Sequence, residues 1–160
     1  MSDSFECRAF PPNFPPQLPV LGFVFADANL PLPDGTRTTV PFANPLLLSR
    51  VTSTGAGITV LEAGIYQVQY DLTLSFEGPG EYDFGAGIST DGTTIIAGST
   101  SRIAGEFVGV IPPTFVDQLN KTVLVQVFGP TTFSVIVANN STGLGAKRIQ
   151  LASLSVTQIA

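Results

Sequence analysis

Few side chains in this sequence could do chemistry, and the shortage narrows the field. There is no histidine among the 160 residues. That removes Ser-His-Asp and Cys-His nucleophile systems and His-ligated zinc, since each needs an imidazole to carry a proton or hold the metal. No Walker loop or dinucleotide fingerprint is present. Gly85-Ala86-Gly87 lies inside a strand-like pattern, where it reads as close packing or a bulge rather than a phosphate cradle. The single cysteine, Cys7, cannot close an intrachain disulfide; it is either a free thiol or a crosslink between subunits. Glu77, Glu81 and Asp83 cluster around a glycine-rich turn. Hard oxygen ligands of that kind suit calcium, but no ligand spacing marks a site, and a solvated acidic loop is the plainer reading. Asn120-Lys121-Thr122 and Asn139-Asn140-Ser141 match the glycosylation acceptor triplet, a pattern that recurs by chance. The sequence therefore predicts no catalytic residue, no metal site and no cofactor, and the chain is not expected to be an enzyme.

The elements around these residues are strands. Apolar residues make up 44% and charged ones 12%, about half the usual charged share. Gly 16 and Pro 13, with abundant Thr, Ser, Val and Ile, describe strands joined by tight turns, an all-β class. The chain is long enough for one domain with a proper core. Only Lys121 and Lys147 supply lysine, so few charges are left to blunt exposed strand edges. Edges should therefore be paired or covered, by closure or by self-association. The net charge is −5 with no basic patch, so neither nucleic acid nor an anionic membrane is an expected partner. No apolar run reaches the roughly 18 residues of a membrane span, and no basic-then-apolar leader opens the sequence.

The centre of the pattern is residues 58–75. After the turn Glu62-Ala63-Gly64, the side chains Tyr66, Val68, Tyr70, Leu72 and Leu74 alternate with Gln67, Gln69, Asp71 and Thr73. A period of two is a half-buried strand, because successive side chains leave opposite faces of a pleated backbone. Further strands are expected at 20–28, 36–42, 82–90, 105–111, 121–128, 132–138 and 148–159, with 45–54 either strand or loop. Asp91-Gly92 should join 88–90 to 93–96 as a tight hairpin. The phase of the last strand breaks near Ala152-Ser153, which implies a bulge or burial on both faces. The continuously apolar stretch around Val123 to Phe128 calls for burial on both faces, hence a subunit interface. About eight to ten strands with turns every 8–12 residues, in this order, fit a two-sheet antiparallel jelly-roll sandwich over residues 20–160. Residues 1–19 form a separate arm. Phe10-Pro11-Pro12-Asn13 and Phe14-Pro15-Pro16-Gln17 are a tandem repeat ahead of Leu18-Pro19. Proline fixes φ and removes donors, so the arm should be extended or polyproline II. It is either a disordered leader or a docking arm that seats Phe10, Phe14 and Leu18 on a partner.

Gly64-Ile65-Tyr66-Gln67-Val68, with its acidic turn and preceding apolar strand, resembles the central signature of complement globular-head and tumour-necrosis-factor-like jelly rolls. Within that group it is similar to the C-terminal head of the BclA-type collagen-like exosporium glycoproteins. Val40-Pro41-Phe42 and the hairpin around Asp91-Gly92 are similar to segments of the same heads. The resemblance runs from about Gly22 to Ala160. It implies a threefold trimer in which the strand of Tyr66, Val68, Tyr70 and Leu72 serves the core and the trimer. It also implies a place on the bacterial spore surface, in exosporium, coat or appendage, with self and other spore-surface proteins as partners. The sequence departs from the BclA pattern in having no Gly-X-Y collagen stalk before the head. Two functions follow as expectations. One is a structural, self-assembling subunit whose arm replaces the stalk as connector. The other is a trimeric receptor- or glycan-binding head working through loops 77–81 and 139–146.

Overall fold

The alternation around Tyr66 becomes one of the two longest strands of the fold. In the computed structural model, which describes residues 18–26, 29–107, 115–142 and 145–160, β7 spans Gly64–Phe76. Tyr66, Val68, Tyr70, Leu72 and Leu74 are each no more than 1% exposed. The strands are β1 Leu21–Ala26, β2 Leu30–Pro31, β3 Thr36–Thr39, β4 Asn44–Ser49, β5 Val51–Ser53, β6 Gly57–Val60, β7, β8 Gly80–Ser89, β9 Ser101–Phe107, β10 Phe115–Val127, β11 Thr131–Asn139 and β12 Lys147–Gln158. They form two antiparallel six-stranded sheets. The first has the order β10-β7-β12-β1-β4, with β2 also on β12; the second has β5-β6-β11-β8-β9, with β3 also on β11. Side chains from the two inner faces interdigitate as one core, including Val24, Phe42, Ile58, Tyr66, Tyr70, Phe84, Phe133 and Leu154. No described helix is long and apolar enough to cross a membrane. This is the two-sheet antiparallel jelly roll that the strand pattern predicts.

Several local expectations are corrected. The strand expected at 36–42 stops at Thr39, ahead of Pro41, yet Val40 and Phe42 still reach the core. Residues 45–54 are two strands, split where Arg50 adopts φ +57°. The hairpin at Asp91-Gly92 closes through a single bridge, Ser89 to Ile95, and residues 93–96 form no strand. The reason is local. The Asp91 carboxylate accepts the backbone N–H groups of Thr93 and Thr94, at 2.8 and 2.6 Å, which curls the chain out of the ladder. The next strand starts at Ser101 rather than Gly105.

The apolar stretch in β10 is not buried on both faces. Val123, Val125 and Val127 face inward, while Leu124 is 63% and Phe128 85% exposed. β10 is also the last strand of its sheet, with β7 as its sole ladder partner among the described strands, so its other edge is unpaired in one protomer. The phase break in β12 is a bulge, as expected, but it falls between Ile149 and Leu151.

Candidate docking surface

The outer face of the first sheet is nearly free of charge. Residues paired across antiparallel strands share a face, so the register gives its composition. One row reads Leu47, Phe23, Ser155, Gln69, Thr122; the next reads Asn44, Phe25, Ser153, Asp71, Asn120; another reads Leu21, Thr157, Gln67, Leu124. Along β1, β4, β7, β10 and β12, the outward charges are Asp71 and, at the far end opposite Ser75, Arg148. The β7–β10–β12 side is mostly amide and hydroxyl, with Leu124 and Val116 exposed among them. The β1–β4 side is apolar, with Leu46 69% and Leu47 54% exposed.

Two bulges shape the apolar side. The first lies in the β1–β4 ladder between Phe23 and Val24, where Leu46 is the extra residue. The second leaves Gln150 unpaired in β12 and turns Leu151 outward, to 53% exposed. A bulge re-aims the side chain beside it. These two aim Leu46 and Leu151 at opposite ends of one groove of about 480 Å³, floored by Phe23 and Phe25 and bordered by Asp71 and Thr73. A single-sequence reading had no route to this groove, because it depends on where two ladders slip relative to each other.

The residues predicted from sequence fall elsewhere. Tyr66, Val68, Tyr70 and Leu72 lie in the core of the protomer itself. The Tyr66 hydroxyl donates to the Glu62 carbonyl at 2.9 Å. The Tyr70 hydroxyl sits between Ala86 O at 2.9 Å, Ser99 O at 3.1 Å and Ser101 Oγ at 2.7 Å. Burial pushes both phenols above the usual tyrosine pKa, because the anion would lose its water. Leu18 is 70% exposed at the mouth of the arm. The Arg50 guanidinium donates to the Leu18 carbonyl at 3.3 Å, the Ser49 hydroxyl to the Pro19 carbonyl at 2.7 Å, and Arg50 also pairs with Glu62 at 2.5 Å. Cys7, Phe10 and Phe14 lie outside the described residues.

Loops 77–81 and 139–146 are brought together at one end of the sandwich. Glu77 N–H donates to Ala146 O at 2.9 Å, Asn140 N–H to Asp83 O at 2.8 Å and Thr142 N–H to Glu81 O at 3.3 Å. A Cβ on Gly145 would overlap the Glu77 carbonyl, so this approach requires glycine. The acidic trio does not converge. Asp83 accepts from Arg102 Nε at 2.6 Å and Nη2 at 2.8 Å, and that guanidinium holds its carboxyl below the ordinary range. Among the described residues, no three acidic or thiol groups come together as metal ligands would. Asn139 is fully buried, donating to Leu32 O at 2.7 Å and Asp34 Oδ1 at 3.0 Å, so it is closed to modification; Asn120 is exposed on β10.

One further surface stands out. Phe76, Tyr82, Phe107 and Phe115 pack across the gap between the edge strands β9 and β10, with Phe76 stacked on Tyr82 at 4.4 Å and Phe107 tilted against Phe115 at 5.0 Å. Tyr82, Phe107 and Phe115 are only partly buried.

No protein-family model matches this chain, and no curated protein matches it by sequence. Solved structures do match. The globular domain of the zebrafish complement 1qA protein aligns over 89% of this chain and 98% of its own, at 10% identity and a TM-score of 0.50. Eiger TNF from S. frugiperda aligns over 89% and 94% at 13% identity and TM-score 0.49. The PRD1 vertex protein P5 aligns over 88% and 96% at 13% identity and TM-score 0.48. The complement domain carries the assignment of fold, and at such identity the likeness is one of fold alone.

Proposed function

We propose that this protein is a non-enzymatic, self-assembling structural subunit of a bacterial spore surface (coat, exosporium or appendage), built from jelly-roll homotrimers linked through the N-terminal arm. The observation that carries the assembly reading is the outer face of the first sheet, a broad surface with two charges and an apolar groove. Interface cores are depleted of charge, and a face of amides and hydroxyls is far cheaper to dry than one of carboxylates and ammonium groups. In this reading the amide-rich β7–β10–β12 side and the aromatic edge at Phe107 and Phe115 meet in the trimer. The arm then joins one trimer to the next, with Cys7 as a crosslink between subunits. The spore assignment rests on the resemblance of Gly64–Val68 and its neighbouring segments to BclA-type heads. Other spore-surface proteins are further partners; nucleic acid and membrane are not.

Among the described residues the core draws on none before Val20, so a chain lacking 2–19 keeps every core contact described here. Light scattering on that deletion and on the full chain, with and without reductant, tests the reading. The expected result is large particles from the full chain, partly reversed by reductant, and small oligomers from the deletion. Unchanged polymerisation of the deletion would overturn it.

The joined loops favour a second reading, a trimeric head binding a receptor or glycan at the end formed by 77–81 and 139–146. Saturable binding of a defined ligand by small oligomers, weakened by changes at Glu81 or Thr142, would select it over assembly.

A further inference from the structure

We infer that the groove between Leu46 and Leu151 receives the proline-rich arm of a neighbouring copy. This rests on the assembly reading above and gives the arm a seat. Three observations select this occupant.

The first is chemical. Polyproline segments dock in aromatic-lined grooves, because the strand is already extended and loses little entropy on binding. The arm holds Pro12-Asn13-Phe14-Pro15, a P-x-x-P pattern, and the groove floor is Phe23 and Phe25. Size agrees as well. Phe10 and Phe14 are four residues apart, or about 12 Å in polyproline II. Leu46 and Leu151 are separated by two strand spacings and three to four residues along the strand, on the order of 15 Å. The arm's one basic side chain, Arg8, lies two residues before Phe10, and the acid on the groove's border is Asp71.

The second is direction, which decides between the chain's own groove and a neighbour's. β1 runs antiparallel to β4 with Leu21 opposite Ser49. Residues 18–20 therefore pass beyond the Ser49 end of β4, while Phe25 and Leu151 lie toward the opposite end. Arg50 and Ser49 hold the carbonyls of Leu18 and Pro19 on that outward course. Between Phe14 and Pro19, only Gln17 is neither proline nor the residue before one. Residues before proline are held to extended backbone and proline to a single φ, so any reversal of the arm would have to fall at Pro16-Gln17.

The third is exposure. Leu46 at 69% and Leu151 at 53% are large apolar groups flanking a concavity on the apolar side of the sheet. Apolar patches of this kind mark interaction sites.

The test uses two full-length variants. One carries F10A and F14A and keeps the groove. The other carries L46D and L151D and keeps the arm. Each alone should need at least a tenfold higher concentration to assemble than the wild type. Mixed, they should associate, because one supplies an intact arm and the other an intact groove; that association also shows that the L46D/L151D chain is folded. If the arm variant loses assembly and the groove variant keeps it, the assembly reading stands and this seat is wrong. If the groove variant alone loses assembly, or the mixture stays apart, the occupant is not a neighbour's arm and the inference falls. If neither variant changes assembly, both this inference and the assembly reading fall.

Discussion

Replacing Tyr70 with phenylalanine removes a single hydroxyl buried in the core of the sandwich. The hydroxyl has three partners: the carbonyls of Ala86 and Ser99 and the hydroxyl of Ser101. Ser101 is part-buried and can turn its hydroxyl toward water, so its loss is small. The Ser99 carbonyl cannot, because Ser99 is fully buried. A net hydrogen bond contributes about 1 kcal/mol, and a buried acceptor left without a donor costs about 1–3 kcal/mol. Tyr70→Phe should therefore cost about 2 kcal/mol. For a domain of this size that is a fall in melting temperature of about 4–8 °C. Tyr66→Phe is the internal control. Its hydroxyl donates to the carbonyl of Glu62, an exposed turn residue that water can reach, so the loss should stay below about 1 kcal/mol. Thermal and urea melts at one fixed protein concentration make the comparison, since self-association shifts apparent stability. If Tyr70→Phe melts within a degree of the wild type, or no lower than Tyr66→Phe, the buried network as described is wrong.

Further outcomes follow from close approach and from charge. Gly57→Ala would drive a Cβ into the Phe133 carbonyl and should cost at least about 2 kcal/mol in a urea melt, whereas Gly85→Ala, whose nearest neighbour would be 3.9 Å away, should be close to neutral. Asp91 and Asp83 titrate below the ordinary carboxylate range, the first held by the Thr94 and Thr93 N–H groups and the second by Arg102. Their folded pKa values are depressed, so what they contribute is fully present above about pH 4 and is lost only as the pH falls below it. Carbon-detected carboxyl titration should find both midpoints lower than those of the same residues in the unfolded chain. Asp91→Ala should speed amide exchange at Thr93 and Thr94 about tenfold or more, and unchanged exchange would mean the carboxylate does not hold that turn.

Much of the fold was legible because a strand writes its burial into every second residue. β7 is the clear case: its inward set Tyr66 to Leu74 was readable without any knowledge of its neighbours. β10 shows where that logic stops. A run such as Thr122-Val123-Leu124-Val125 has no alternation to read, and two-sided burial is the natural inference. Only the sheet order reveals that β10 is an edge strand, and only the exposure of Leu124 that its outer face is uncovered. The Asp91-Gly92 hairpin failed for a different reason. Dipeptide turn preference competes with local side-chain capping, and the Asp91 carboxylate, reaching two backbone donors, won.

The groove was illegible for a reason that also bears on its purpose. In sequence, Leu46 sits in the run Pro45-Leu46-Leu47-Leu48 and Leu151 two residues after Ile149, so both look like core positions. Had the ladders run without bulges, Leu151 would keep the parity of Ile149 and point inward with it. The extra residue in each ladder instead turns a large leucine toward water. Exposing two such side chains forgoes about 1.5–3 kcal/mol of burial apiece relative to enclosing them. A protomer that stays alone gains nothing in return. A protomer that receives another chain on this face recovers the loss there, and the bulges then act as register marks that set where the leucines stand. The two leucines also border the same depression rather than lying scattered over the sheet, which is what a shared ligand requires and what independent slips in two separate ladders would not by themselves produce.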